Sequence, residues 1–347
     1  MYQAHFKLKK EPFGMSPDPY CLFKTQSHQE ALSGLSYALL DSKGFVILTG
    51  EVGTGKTTVL SRALRMMPET RAVFSMVLNP TLTPDEFLEA VLTDFGLENI
   101  PSSKLHRLSR LQQFLTEEHA NGRTCVLVID EAHKLSPEVF EEIRLLTNFE
   151  NAQRKLLQIV LVGQTELRDV LNRADLRQLK QRIALRLQLE PLSIAEVDQY
   201  IRFRWASAGA EEALPFDEGA IQAIGKASRG LPRGINALCD NALILAYGSG
   251  DARVTAVHAQ QAIRELDLVR EEESQPASKV NGVPQPEKQN GLNPVAASET
   301  LRLPPPTGVI VPLELKTLQR YSPKERKPPL LMRWAGRLKL AAVERQS

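Results

Sequence analysis

The amino-acid sequence predicts an α/β protein, in which a parallel five-stranded sheet is covered by helices and followed by a smaller all-helical unit. Three observations predict it. Five short apolar runs alternate with segments of helical periodicity, the order that builds a parallel sheet. One of these runs, TCVLVID, is apolar almost throughout, as a strand buried on both faces should be. From Ser193 onward the strand signal stops and only helical patterns remain.

The strands are expected at Phe45–Thr49, Ala72–Leu78, Thr124–Ile129, Leu157–Val162 and Ala184–Leu189. Helices are expected between them, at Thr57–Met67, Pro84–Phe95, Leu105–Ala120, Pro137–Asn148 and Leu167–Leu171. Ser193 and Glu196 have the spacing of a capping box before a helix through Trp205. Two further helices are expected near Asp217–Ser228 and Arg233–Ala246, and a fourth from Thr255. No internal repeat is evident.

Composition sets the outer limits. The chain has 347 residues, of which 42% are hydrophobic and 24% charged, ordinary values for a protein with an apolar core. The formal net charge of +2 gives no global electrostatic case for nucleic-acid binding. Cys21, Cys125 and Cys239 are too far apart for a metal motif or a disulfide framework, which suggests a reducing compartment. The first fifteen residues lack the apolar run of a signal peptide, and no window holds 18 apolar residues. The expected location is the cytoplasm.

Eleven of the 22 prolines fall between Pro276 and Pro329, and 271–329 is read as a disordered linker that cannot bury enough apolar surface to order itself. After it, Leu330, Leu331, Trp334, Leu338 and Ala341 repeat one helical face, with Arg333, Arg337, Lys339 and Arg345 mostly off that stripe. A basic amphipathic helix of this kind can lie on an anionic membrane or dock in a partner's groove, or pack back on the chain.

The chemistry is carried by a few ordered motifs. Gly50-Glu51-Val52-Gly53-Thr54-Gly55-Lys56-Thr57, followed by Thr58, fits a phosphate loop, with a strand before it and a helix after it. Glycines let the backbone close around phosphates, so that its N–H groups and the helix N-terminus face the anion. Lys56 is placed to reach the β- and γ-phosphates of ATP, and Thr57 to offer its hydroxyl to Mg2+. The strand at 124–129 ends in Asp130 and Glu131, at the sheet edge where ligands bind in open α/β folds. Asp130 would hold Mg2+ and Glu131 would polarise the attacking water. His133 is equally readable as a structural side chain. Gln164, at the next strand's end, could orient water or be a plain strand-end amide. Leu176–Ile183 carries Arg177 and Arg182. An arginine there can reach a neighbouring subunit's nucleotide, or it can belong to a solvated basic face. Arg233, opening a helix in Gly230-Leu-Pro-Arg-Gly, could report on the γ-phosphate.

This order of motifs resembles an AAA+ ATPase. The opening resembles more specifically the general secretion pathway protein A (ExeA-like) family. The residues that carry it are Phe6, Glu11-Pro12-Phe13, Ser16-Pro17-Asp18-Pro19, Leu22-Phe23, His28-x-Glu30-Ala31-Leu32 and Gly44 into the phosphate loop. The resemblance covers roughly 1–268. It implies an ATP- and Mg2+-dependent hydrolase that works as a homo-oligomer with an arginine finger in trans, with Arg182 preferred over Arg177. It implies catalytic parts for Glu131, Gln164 and Arg233, a polar restraint from Asn79, and an adenine near Pro12-Phe13. It partitions the chain into an adenine-side segment and helix (1–43), an ATPase core (44–191) and a helical lid (192–270), ahead of the linker (271–329) and the basic helix (330–347) read from composition and periodicity. Secretion-type members continue into a membrane helix and a peptidoglycan-binding domain, which this sequence lacks, so a cytoplasmic relative is expected, with peripheral inner-membrane contact through 330–343. The implied role is assembly or remodelling of a secretion, pilus or exopolysaccharide system with a protein partner. The alternative is an ATP-dependent DNA-binding regulator of transposition that recruits a recombinase. A single phosphate loop leaves no room for a two-motor helicase.

Overall fold

The computed structural model describes residues 2–16, 21–68, 70–79, 81–151 and 154–266, all of which fall in one contact unit. The linker at 271–329 and the basic helix at 330–347 lie outside the described residues.

Five strands form the sheet: β1 (Phe45–Gly50), β2 (Ala72–Val77), β3 (Thr124–Ile129), β4 (Leu157–Gly163) and β5 (Leu185–Leu189). Their order is β2-β3-β4-β1-β5 and every pairing is parallel. Side chains alternate along each strand, so one apolar sequence supplies two cores. Phe45, Ile47, Leu127, Ile129 and Leu161 face one side; Val46, Leu48, Val126, Val128, Val160 and Val162 face the other. The one large polar side chain inside β4, Gln158, is satisfied: it accepts from Gly44 N at 2.7 Å and donates to Lys155 O at 3.0 Å.

Helices cover both faces. After the short α1 (Tyr2–His5), α2 (Gln26–Leu40) and α3 (Lys56–Met66) bury Leu35, Leu39, Leu60 and Leu64 against the second face. The first face is covered by α4 (Pro84–Asp94), α5 (Lys104–Ala120) and α6 (Pro137–Leu146), through Phe87, Leu111 and Phe140. Two short helices, α7 (Leu167–Leu171) and α8 (Arg177–Lys180), lead into β5. The remaining helices are α9 (Ile194–Ser207), α10 (Glu218–Ser228), α11 (Pro232–Ser249) and α12 (Ala256–Glu265). They form a separate apolar cluster around Ile201, Ile224, Leu238 and Ala259.

Local chemistry sets the helix starts. Thr83 with Glu86, and Ser193 with Glu196, form complete capping boxes, and Ser136 and Asp217 cap α6 and α10 through their side chains. Each such cap is worth about 1 kcal/mol. The observed ends lie within three residues of the expected ones, and Thr124–Ile129 and Leu167–Leu171 match at both ends. The largest difference is at α11, expected to stop at Ala246 but running to Ser249. Gly248 is tolerated inside it, and the helix ends only where Gly250 takes φ 76°.

The N-terminal segment belongs to the helical unit. Phe6 and Phe13 are buried in its core, Lys9 and Lys10 donate backbone N–H groups to Ala208 O, and Arg204 Nε donates to Pro12 O at 2.6 Å. Phe13 is 1% exposed, with its ring edge-to-face against Phe216 at 5.9 Å. Burying a phenylalanine contributes about 1.5–3 kcal/mol, which holds the strap on the lid.

Candidate nucleotide site

The parallel sheet brings the carboxyl ends of β1, β3 and β4 to one edge, and three motifs leave from there. The loop after β1 runs from Gly50 to the start of α3. Gly53 and Gly55 both lie in the left-handed region, at φ 86° and 93°. Side chains rarely adopt that conformation, and at Gly53 a Cβ would also stand 2.7 Å from Arg233 Cβ. The loop folds on itself: Thr54, fully buried, donates its hydroxyl to Glu51 O at 2.8 Å. Glu51 and Val52 are exposed at its tip, and Thr57 and Thr58 stand half-buried in the first turn of α3.

Lys56 curls back so that Nζ donates to Gly50 O and Glu51 O, each at 2.8 Å. Burial pulls its pKa down, while the fields of Asp130, Glu131, Glu166 and Glu51 oppose the fall. The acids after β3 therefore act on the same lysine that the loop holds.

Asp130 follows β3, its N–H donating to Val77 O on β2. Asp130 Oδ1 accepts from Glu131 N at 2.8 Å. Glu131 adopts φ 53°, a left-handed conformation that costs a non-glycine residue about 1–3 kcal/mol. That turn brings its carboxylate 3.6 Å from His133 Nε2 and 3.5 Å from Lys134 Nζ. His133 is kept below the usual histidine range by burial, and its Nδ1 accepts from Gln164 N at 3.4 Å. The ring thus bridges Glu131 to the end of β4, where Gln164 is half-buried.

From the helical unit, the start of α11 reaches the loop directly. Arg233 N donates to Gly53 O at 3.3 Å, and the Arg233 side chain is exposed. Residues 50–58, Asp130, Glu131, Gln164 and Arg233 thus gather at this edge of the sheet.

Arg182 is elsewhere. It precedes β5, whose Leu185 pairs with Val46, and Ala184 N donates to Phe45 O. It therefore stands at the amino edge of the sheet, and its guanidinium donates to Thr147 Oγ1 at 2.8 Å and to Asn148 Oδ1. Arg177 opens α8, exposed. Asn79 accepts from Thr81 N and Thr81 Oγ1, closing a local turn after β2.

Two residues at the site have no role assigned from sequence. Glu166, exposed at the start of α7, contributes to the field at Lys56. His28, on α2, bonds Thr54 O at 3.1 Å. In the sequence His28 stands in the His28-x-Glu30-Ala31-Leu32 run and three residues after Thr25, which caps α2, but neither signal points to the loop.

A cradle of backbone N–H groups, a half-buried lysine and two carboxylates make a site for a nucleotide's phosphates. An AAA-domain family model matches residues 39–171. General secretion pathway protein A of Aeromonas hydrophila is 42% identical over 273 residues, covering 78% of this chain and 50% of that protein. The chain thus spans about half the length of that relative. The ATP-dependent target DNA activators B of Escherichia phages Mu and D108 are 29% and 30% identical over 261 residues, 73% of this chain and 75% of each. Among solved structures, Cdc6p from Pyrobaculum aerophilum superimposes with a TM-score of 0.58 at 17% identity, over 74% of this chain and 71% of that one. That likeness is one of fold. The chain belongs to the AAA+ ATPases, in the family of general secretion pathway protein A.

Proposed function

We propose that the chain hydrolyses ATP and uses the cycle to assemble or remodel a cell-envelope machine. The observation that carries hydrolysis is the gathering of Lys56, Asp130 and Glu131 at one strand edge, with both acids acting on Lys56. ATP would enter with its phosphates in the loop 50–58. Lys56 would exchange its two carbonyl partners for the β- and γ-phosphates. The Thr57 hydroxyl and the Asp130 carboxylate are hard oxygen donors of the kind Mg2+ takes, in the small number that leaves room for waters and phosphates. Bound there, Mg2+ would neutralise charge on the β- and γ-oxygens. Glu131 would accept the proton of the attacking water, and Gln164 would orient that water. Arg233, tied to Gly53 through its backbone, would pass the state of the γ-phosphate to the helical lid. Arg182 would supply the finger to a neighbouring copy, which makes a homo-oligomer part of the proposal.

The envelope role follows the 42% identity to general secretion pathway protein A. Among the described residues no helix is long and apolar enough to cross a membrane. The proposed location is the cytoplasm, with peripheral contact at the inner membrane through 330–343 and a protein partner there. The test is direct titration with Mg2+–ATP. Lys56→Ala should lose tight binding, because it removes the ammonium at the β- and γ-phosphates. Undiminished binding and turnover in this variant would reject the site.

A second reading has its own support. The phage activators B match over 75% of their own length, against 50% for the secretion protein. In that reading the partner is DNA and hydrolysis times its release. A gel-shift titration with ATP over a salt series separates the two. ATP-dependent retention of duplex DNA that weakens with salt favours DNA, and none at low salt leaves the envelope role.

A further inference from the structure

His28 is 4% exposed, on the first turn of α2, where it touches the phosphate loop. Its Nε2 lies 3.1 Å from Thr54 O and its Nδ1 lies 2.7 Å from Thr25 Oγ1. A carbonyl oxygen has no hydrogen to give, so Nε2 must be the donor. In the neutral ring Nδ1 then accepts from the Thr25 hydroxyl. Burial favours that neutral form, opposed by the Thr54 hydrogen bond and the field of Glu196. The side chain is thus held at both nitrogens, and one of its two partners is the backbone of the loop.

The partner carbonyl belongs to the peptide unit between Thr54 and Gly55. In a trans peptide the C=O and N–H point in opposite directions, and no cis bond occurs among the described residues. Fixing Thr54 O toward His28 therefore turns the Gly55 N–H away from it, toward the other side of the loop. Gly55 is the residue that leaves this orientation soft. It has φ 93° and no Cβ, and the place a Cβ would occupy lies 3.4 Å from His28 Nε2. Such a peptide can flip at small cost unless something holds it.

We propose that His28 is a positioning residue for the phosphate loop, pinning the Thr54–Gly55 peptide so that the Gly55 N–H stays aimed at a bound phosphate. This rests on the nucleotide reading of the loop and adds to it the element that preorganises the loop from outside. Preorganised donors bind an anion without the cost of ordering it at each encounter.

The test uses two substitutions that divide the imidazole. A glutamine amide nitrogen can reach the place of Nε2, whereas an asparagine amide reaches only that of Nδ1. The full chain is prepared as wild type, His28→Gln, His28→Asn and Lys56→Ala. Each is titrated with Mg2+ and a non-hydrolysable ATP analogue, assayed for KM and kcat, and melted. Loss of the pin should weaken binding in His28→Asn by about tenfold, the size of one charge-assisted hydrogen bond. KM should rise more than kcat falls, and His28→Gln should recover most of the affinity. The proposal is overturned if His28→Asn binds as tightly as wild type, or if His28→Gln loses as much as His28→Asn at equal melting temperature. Lys56→Ala separates the two levels. If it loses binding while His28→Asn keeps it, only the role of His28 is wrong. If Lys56→Ala itself binds normally, the nucleotide reading beneath falls too.

Discussion

Glu131 is held in a left-handed backbone conformation between Asp130, which takes its N–H, and His133 and Lys134, which face its carboxylate. Strain of this kind persists only where the surroundings over-determine it. Here the surroundings are the end of a strand buried from Cys125 to Ile129 and the short 3-10 turn Ala132–Lys134. The charge rather than the shape is what the proposed chemistry needs. Glu131→Gln keeps the side-chain volume and leaves the Asp130 contact in place. It should bind Mg2+–ATP within a few-fold of wild type while phosphate release slows by about 100-fold or more, the usual weight of a general base. Single-turnover phosphate release alongside equilibrium binding checks this. Wild-type turnover would move the base to another residue.

At the scale of elements, the sharpest contact is between the phosphate loop and the start of α11. Gly53→Ala puts a methyl against Arg233 Cβ and asks an L-residue to hold φ 86°. A control separates the two costs. Gly96 has φ 86° as well, but nothing lies within 4 Å of its would-be Cβ. Gly96→Ala should cost about 1 kcal/mol of stability from backbone strain alone. Gly53→Ala should cost more, up to about 3 kcal/mol, and should also weaken ATP binding, because α11 must back away from the loop. Urea melts and nucleotide titration on both variants check it. Equal losses would mean the α11 contact is slack. These elements were unequally legible in the sequence. Strands such as Val126–Ile129, buried on both faces, announce themselves because every residue is apolar. Capped helix starts do so because Ser193 and Glu196 sit three apart. The contacts of Phe13 and His28 did not, although both stand in runs that carry the family resemblance. Their neighbours, Phe216 and Thr54, are distant in sequence, and neither an isolated ring nor an isolated imidazole carries a period. The loop and the acids were readable from spacing, but the conformation of Glu131 was not, since nothing in the residue type favours φ 53°.

At the scale of the whole molecule, the parallel sheet separates two edges by the length of its strands. The phosphate loop, Asp130, Glu131 and Gln164 all leave carboxyl ends, whereas Arg182 stands before β5, level with the start of β1. Six residues of β1 at about 3.3 Å each put roughly 20 Å between those edges. No rotamer of an arginine crosses that distance, so Arg182 cannot serve the loop of its own chain. Within one copy it instead bonds the side chains of Thr147 and Asn148, just after α6. Any part it has in hydrolysis must be played on a second copy. The expected result is that Arg182→Ala binds nucleotide normally while turnover falls by about 1,000-fold, the low end for a lost arginine finger. Mixing inactive Arg182→Ala with inactive Glu131→Gln should then restore activity. Some interfaces in the mixture would pair the intact Glu131 of one subunit with the intact Arg182 of its neighbour. Arg177→Ala in the same assay tests the nearby rival. The measurement is ATP turnover against mixing ratio at fixed total protein, where complementation in trans gives a curve with a maximum. A straight line between the two inactive ends would confine each active site to a single chain, and Arg182 would be left as a tie to the turn after α6.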